Sequence, residues 1–229
     1  MVTSKRTTPP FPPRIETDDR LLQAAGEVFA EFGFRRATVR DICARAGANV
    51  AAVNYHFGDK AGLYAAVVKY GMGAAIQKYP PDMGLPKTGP VPSEQRLRAF
   101  IRGFLFRVLE PGPGAWHGRL MMWEMVEPSG ILGELFAQMI RPLYERLTLI
   151  VTELIGPGAT PERVKLCCIS VLGQCTFYRL GAPLLAQVQP DKVNPTAEQI
   201  EAIAEHVARL TIAGLRDYAT SAAEGTDRS

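Results

Sequence analysis

Between Thr38 and Asp59 the chain alternates helix starts and stops so closely that few folds accommodate it. Thr38 is a side-chain N-cap, and Asp41, three residues on, can cap reciprocally. "VRDICARA" then runs to Gly47, a residue suited to the left-handed stop of a helix. Only Gly47-Ala48-Asn49 separates it from a second short helix over 50–56, which Gly58 breaks and Asp59 follows as the cap of the next. Two short helices joined by three residues form a helix-turn-helix. Ile42, Cys43 and Ala46 of the first, with Val53 and Phe57 of the second, face a small three-helix core.

The face left over on the second short helix is Asn49, Val50, Ala51, Asn54 and Tyr55. An exposed helix face is ordinarily charged. This one carries two amides and small apolar residues, the set that reads a major groove: Asn against adenine, methyls against thymine. Asn49, Val50, Ala51 and Asn54 are the expected base contacts. Tyr55 and His56 offer polar tips to phosphates, while Lys60 and Thr38 stand at helix starts where unpaired amides favour an anion. Thr38, Tyr55, His56 and Lys60 are therefore the expected phosphate contacts. Capping alone is the competing role for Thr38 and Asn49, and a structural role competes for His56. Metal binding is not expected, because His117 and His206 lie far from His56 with no paired-histidine motif.

The stretch "ATVRDICARAGANVAAVNYHFGDKAGLYAAVV" resembles the DNA-binding segment of the TetR/AcrR family of bacterial transcription regulators. Thr38, Ile42, Ala46, Gly47, Tyr55, His56, Phe57, Lys60 and Leu63 carry the resemblance, which covers roughly residues 17–65. "AGANVAAVNYHFGDKAGLY" together with "MMWEMVEPSG" is similar to the CecR (YbiH-like) branch. Two positions depart from the pattern: Ala48 replaces the usual valine, and Asn54 replaces a common tyrosine. The second departure implies an operator sequence of the chain's own.

Charge distribution agrees with an anionic partner at one end. Residues 1–72 hold ten Lys/Arg against seven Asp/Glu, and the remainder holds sixteen of each. The proline-rich start, residues 1–16, reads as a disordered basic tail without a secretory apolar region. With no apolar run long enough for a membrane span and four scattered cysteines, a cytoplasmic protein with free thiols is expected.

The rest of the chain is helical in pattern, giving an all-α fold. Residues 17–77 form the DNA-binding domain with its connecting helix, ended by the Pro/Gly-rich linker 78–92. Residues 93–220 form a larger ligand-binding and dimerisation domain, and 221–229 a flexible tail. Pro142 is expected to kink or split its helix. Helices at 162–180 and 196–219 carry apolar stripes suited to a four-helix dimer bundle, with Cys168, Val171, Cys175, Ile203, Val207, Leu210 and Gly214 as interface candidates. Filling the core of a single chain is the competing role for those stripes.

The resemblance implies a ligand cavity between the linker and the dimer helices. Bulky adaptable residues interleave there with polar ones: Phe104, Arg107, Trp116, Arg119, Met122, Trp123, Gln174 and Phe177 are the expected lining. A Met-rich core with its arginines reaching out to water would show the same pattern.

These readings converge on a homodimeric regulator that binds a palindromic operator in double-stranded DNA and, as a repressor, is released by a small-molecule inducer. No cofactor is implied. The alternative is a redox-responsive regulator acting through Cys167, Cys168 or Cys175. An all-helical enzyme is not expected, since the chain has no GxSxG and no Gly-rich phosphate loop.

Overall fold

The computed structural model describes residues 14–110, 116–131, 133–188 and 195–226, and every regular element among them is helical. Ten α-helices are described: α1 Arg14–Arg36, α2 Val39–Ala46, α3 Val50–Phe57, α4 Lys60–Lys78, α5 Ser93–Leu109, α6 Trp116–Val126, α7 Gly133–Ile155, α8 Pro161–Leu180, α9 Ala182–Val188 and α10 Ala197–Thr226. They bury two cores. The first joins Leu21, Val28 and Phe29 of α1 to Ile42 of α2, Val53 of α3 and Leu63, Tyr64 and Val67 of α4. The second is built by α5, α7, α8 and α10 around Phe100, Leu105, Leu147, Ile150, Val171 and Ala208. Burying each such large side chain is worth about 1.5–3 kcal/mol, which is what holds helices as short as α2 and α3 in place.

α6 packs with the first core although it lies beyond the linker in sequence. Trp116 and Leu120 are part of that core. The Trp116 indole lies against Gly26 of α1 and Gly71 of α4. A methyl group added at Gly71 would stand 2.7 Å from the ring, and one at Gly26 would collide with it outright. The Trp116 Nε1–H donates to Gln23 Oε1 at 3.2 Å.

Local punctuation matches the sequence in most places. Gly33 takes φ 74° and ψ 168° inside α1, where the helix breaks. α1 begins at Arg14, inside the segment 1–16 expected to be a disordered tail. Residues 1–13 of the expected tail lie outside the described residues. Thr160 caps α8, and Thr196 and Gln199 cap α10 reciprocally.

Four features differ from the sequence reading. Pro142 does not split its helix: α7 runs as one element from Gly133 to Ile155 with the proline inside it. α9 is a further short helix between those expected at 162–180 and 196–219. α10 continues to Thr226, through most of the expected tail. The Pro/Gly linker is docked: Tyr79 is buried in the second core, stacked on Phe106 with ring centroids 5.1 Å apart, and Asp82 pairs with Arg146 at 3.3 Å.

The expected dimer residues need correction. Cys168, Val171, Cys175 and Val207 are 0%, 1%, 1% and 2% exposed inside the core of the single chain, so they are not available to a partner. Ile203 is packed partly against the same core. Leu210 and Gly214 face outward, and on α8 the outward row is Leu166, Ile169, Gly173, Phe177 and Leu180. α8 is apolar on more than one side, so its periodicity does not say which side meets its own chain. Among the described residues no helix is long and apolar enough to cross a membrane.

Candidate nucleic-acid interface and the seam behind it

Each turn of the helix-turn-helix is fixed by a local hydrogen bond. The Thr38 hydroxyl accepts the Asp41 amide at 3.2 Å and donates to the Asp41 carboxylate at 2.6 Å. Gly47 takes φ 62° and ψ 38°, and the following Ala48 amide donates to the Cys43 carbonyl at 3.0 Å. The Asn49 side-chain oxygen accepts the Ala51 amide at 3.0 Å and so starts α3. Asp59 starts α4 by accepting the Gly62 amide at 2.8 Å. At Gly62 a Cβ would strike the Phe57 carbonyl, so only glycine allows this tight entry into α4.

α3 is thereby held by fully buried Val53 and by Phe57, with Val50, Ala51, Asn54 and Tyr55 on the outside. Tyr55 is 71% exposed. The outward face is uncharged and small at its centre, as the sequence led one to expect. Asn49 is exposed too, but its carbonyl oxygen is used by the cap, which leaves its amide nitrogen to donate to a ligand.

Two expected phosphate contacts are engaged elsewhere. His56 is mostly enclosed, its Nδ1 2.8 Å from the Asp18 carboxylate of α1, so it ties α3 to α1 instead of facing outward. Its partner is distant in sequence and left no local signal. The Lys60 ammonium donates to the Arg35 carbonyl at 3.2 Å and lies 4.7 Å from the centre of the Phe34 ring, where partial burial lowers its pKa. Sequence reasoning missed Arg40, exposed on α2 two residues from Thr38, with no acidic partner among the described residues. Neighbouring Arg45 is neutralised by Glu27 and Glu31.

Behind this unit, α6 forms a seam with α1 and α4. The Tyr64 hydroxyl donates to Glu124 at 2.6 Å, and the Trp123 indole N–H donates to the Ala30 carbonyl at 3.0 Å. The Trp123 ring lies against Gly33, where α1 breaks, and under the Arg36 guanidinium, 5.5 Å from the ring centre. Arg35 and Glu127 close the seam at 3.3 Å.

The expected ligand-pocket residues do not form one site. Arg119, Met122 and Trp123 line a mainly apolar cleft of about 390 Å³ together with Ala30 of α1, Val126 of α6, and Arg179, Leu180, Ala182 and Pro183. Trp116 is instead sealed in the first core, and Phe104 packs against the second. Arg107 is buried; it donates one Nη1–H to the Tyr79 carbonyl, and burial lowers its pKa to about 10. Gln174 donates to the carbonyl of Ser170 on its own helix, and Phe177 belongs to the outward row of α8. Arg179 was absent from the expected set.

The cysteines do not support a redox switch. Cys43, Cys168 and Cys175 are buried, and burial raises the thiol pKa of all four, that of Cys175 to about 12. The reactive thiolate is thus suppressed.

Comparison with known proteins agrees with this architecture. Residues 21–67 match the family model for bacterial regulatory proteins of the tetR family, and residues 93–215 match the C-terminal domain of the HTH-type transcriptional dual regulator CecR. CecR of Shigella flexneri is 27% identical over 168 residues, covering 71% of this chain and 75% of its own. Among solved structures, FadR of Bacillus subtilis in complex with stearoyl-CoA superposes with a TM-score of 0.65 at 18% identity, covering 86% of this chain and 98% of that one. A transcriptional regulator of Pseudomonas aeruginosa gives a TM-score of 0.62 at 24% identity, over 91% and 95% of the two chains. Those two likenesses carry the fold; the matched family models, spanning the helix-turn-helix and more than half of the chain, carry the family. The chain belongs to the TetR family of transcriptional regulators, in its CecR branch.

Proposed function

We propose that the chain is a homodimeric repressor that reads a palindromic operator with α3 and leaves it when a small molecule binds. The observation that carries the DNA-reading part is the outward face of α3: Val50, Ala51, Asn54 and Tyr55 exposed around a buried Val53. Val50 and Ala51 suit thymine methyls, and Asn54 suits the edge of adenine. Thr38 and Arg40 at the start of α2, together with Tyr55, suit the flanking phosphates.

One short helix reads only a few bases, so a twofold partner is required. The outward rows Leu166, Ile169, Gly173, Phe177 and Leu180 of α8 and Leu210 and Gly214 of α10 support a helical interface. Large exposed apolar residues at helical spacing are otherwise costly in water.

Release follows from linkage. A ligand that favours a spacing of the two α3 helices unsuited to successive major grooves weakens DNA binding by its preference for that state. α4 and α6 are the levers: α4 runs from the first core to Tyr79 in the second, and α6 is hydrogen-bonded to both α1 and α4. The FadR relative of Bacillus subtilis was solved with stearoyl-CoA. An amphipathic ligand for this chain is consistent with that, and the mainly apolar cleft beside Trp123 supports it more directly. The test is anisotropy titration of labelled duplexes: operator affinity should fall on adding ligand while affinity for random DNA changes little. Equal affinity for operator and random DNA without ligand would remove the reading.

A further inference from the structure

Two guanidinium groups, Arg119 of α6 and Arg179 of α8, share the cleft beside Trp123, and neither has a hydrogen-bond or ion-pair partner among the described residues. The other walls are Ala30, Met122, Trp123, Val126, Leu180 and Pro183, all without charge. Arg179 is partly buried, and both its desolvation and the like charge of Arg119 disfavour its protonated form. Two cations kept together against apolar walls repel each other at a cost that an anion would relieve. By contrast, Arg102 is paired with Glu201 and Arg216 with Glu94.

We propose that this cleft binds an anionic amphiphile, its carboxylate or phosphate head between Arg119 and Arg179 and its apolar body along Met122, Trp123 and Val126. This deepens the regulator reading and rests on it. Arginine binds planar oxyanions by paired, charge-assisted hydrogen bonds, and apolar walls are indifferent to charge. A neutral molecule of the same shape would gain only the second contribution.

The location gives the ligand a direct grip on the DNA-binding unit. Ala30 is both a wall of the cleft and the acceptor of the Trp123 indole N–H. Trp123 in turn lies against Gly33, where α1 changes direction. A molecule seated on Trp123 therefore bears on α1 without first passing through the second core.

The experiment is calorimetric titration of the full-length protein with decanoate, decyl phosphate, decanol, decylamine and inorganic phosphate. Operator binding of the unliganded wild-type protein is measured alongside. Both decyl anions should bind at least about tenfold more tightly than decanol, with decylamine weaker still. Inorganic phosphate alone should bind weakly, which separates an amphiphile site from a simple anion site. In Arg179→Met and, separately, in the more exposed Arg119→Met, the anions should lose about tenfold or more while decanol does not. Equal binding of decanoate and decanol by the wild type, or unchanged anion binding in both variants, overturns the assignment. If that occurs while wild-type operator binding is intact, the cleft assignment alone falls. Loss of operator preference removes the regulator reading on which it rests.

Discussion

The Tyr64 phenol in α4 donates to a carboxylate oxygen of Glu124 in α6 at 2.6 Å, across a sequence separation of 60 residues. Glu124 also accepts the Ser129 amide at 3.3 Å, so one carboxylate joins the DNA-binding core to the loop after α6. Burial and the adjacent carboxylate both raise the phenol's pKa. Both causes favour the protonated, donating form of the phenol.

Tyr64→Phe should lower stability by about 1–3 kcal/mol, because a buried charge-assisted bond is lost while the ring packing remains. Urea denaturation measures this. The pH dependence has a defined sign. A phenol whose folded pKa is raised contributes stability that is present below its unfolded pKa of about 10 and lost as pH rises further. Wild type should thus lose more stability above about pH 10 than Tyr64→Phe does. Parallel stability curves would show that Tyr64 is not protonated by its surroundings.

Much of the DNA-binding unit was legible from sequence because its signals are local. Thr38, Gly47, Asn49 and Asp59 each act on backbone within a few residues, so the spacing alone places α2 and α3. The outward face of α3 followed from that placement. His56 failed because Asp18, its partner, lies on α1. Cys168 and Ile169 are adjacent in an apolar helix, and only the packing of α5, α7 and α10 decides that the first is buried and the second exposed. Arg179 escaped for the same reason: its relation to Arg119 exists only once α6 and α8 come together.

Ile169→Lys should break the proposed dimer. The residue is 52% exposed in the single chain, so its stability should change by no more than about 0.5 kcal/mol. Sedimentation velocity should show monomers where wild type sediments as dimers, with operator affinity lost in parallel. An unchanged dimer would exclude the outward row of α8 from the interface.

The thiols should be inert in the native protein. Cys43, Cys168 and Cys175 are buried and only Cys167 is partly exposed, so an aromatic disulfide reagent should modify at most one thiol quickly at pH 7.5 and the rest only on unfolding. Mild peroxide should leave operator affinity unchanged. Fast modification of several thiols would restore the redox alternative.

Arg40 and Lys60 should separate into different roles. Arg40→Ala should weaken binding to every duplex and reduce the slope of log affinity against log salt by about one. Lys60→Ala should chiefly lower stability, since its ammonium is held by the Arg35 carbonyl and Phe34. The reverse pattern in a salt titration would make Lys60 the phosphate contact first expected from its position at the start of α4.

Reading of bases by α3 is tested most directly by selecting duplexes from a random pool with the wild-type protein and with Asn54→Ala. Wild type should enrich a palindromic sequence and bind it at least about a thousandfold more tightly than the unselected pool. Asn54→Ala should lose about 1–3 kcal/mol of discrimination at one base pair of each half-site and keep the rest. A pool with no enriched sequence, or one enriched identically by both proteins, would contradict α3 and Asn54 as the reading surface.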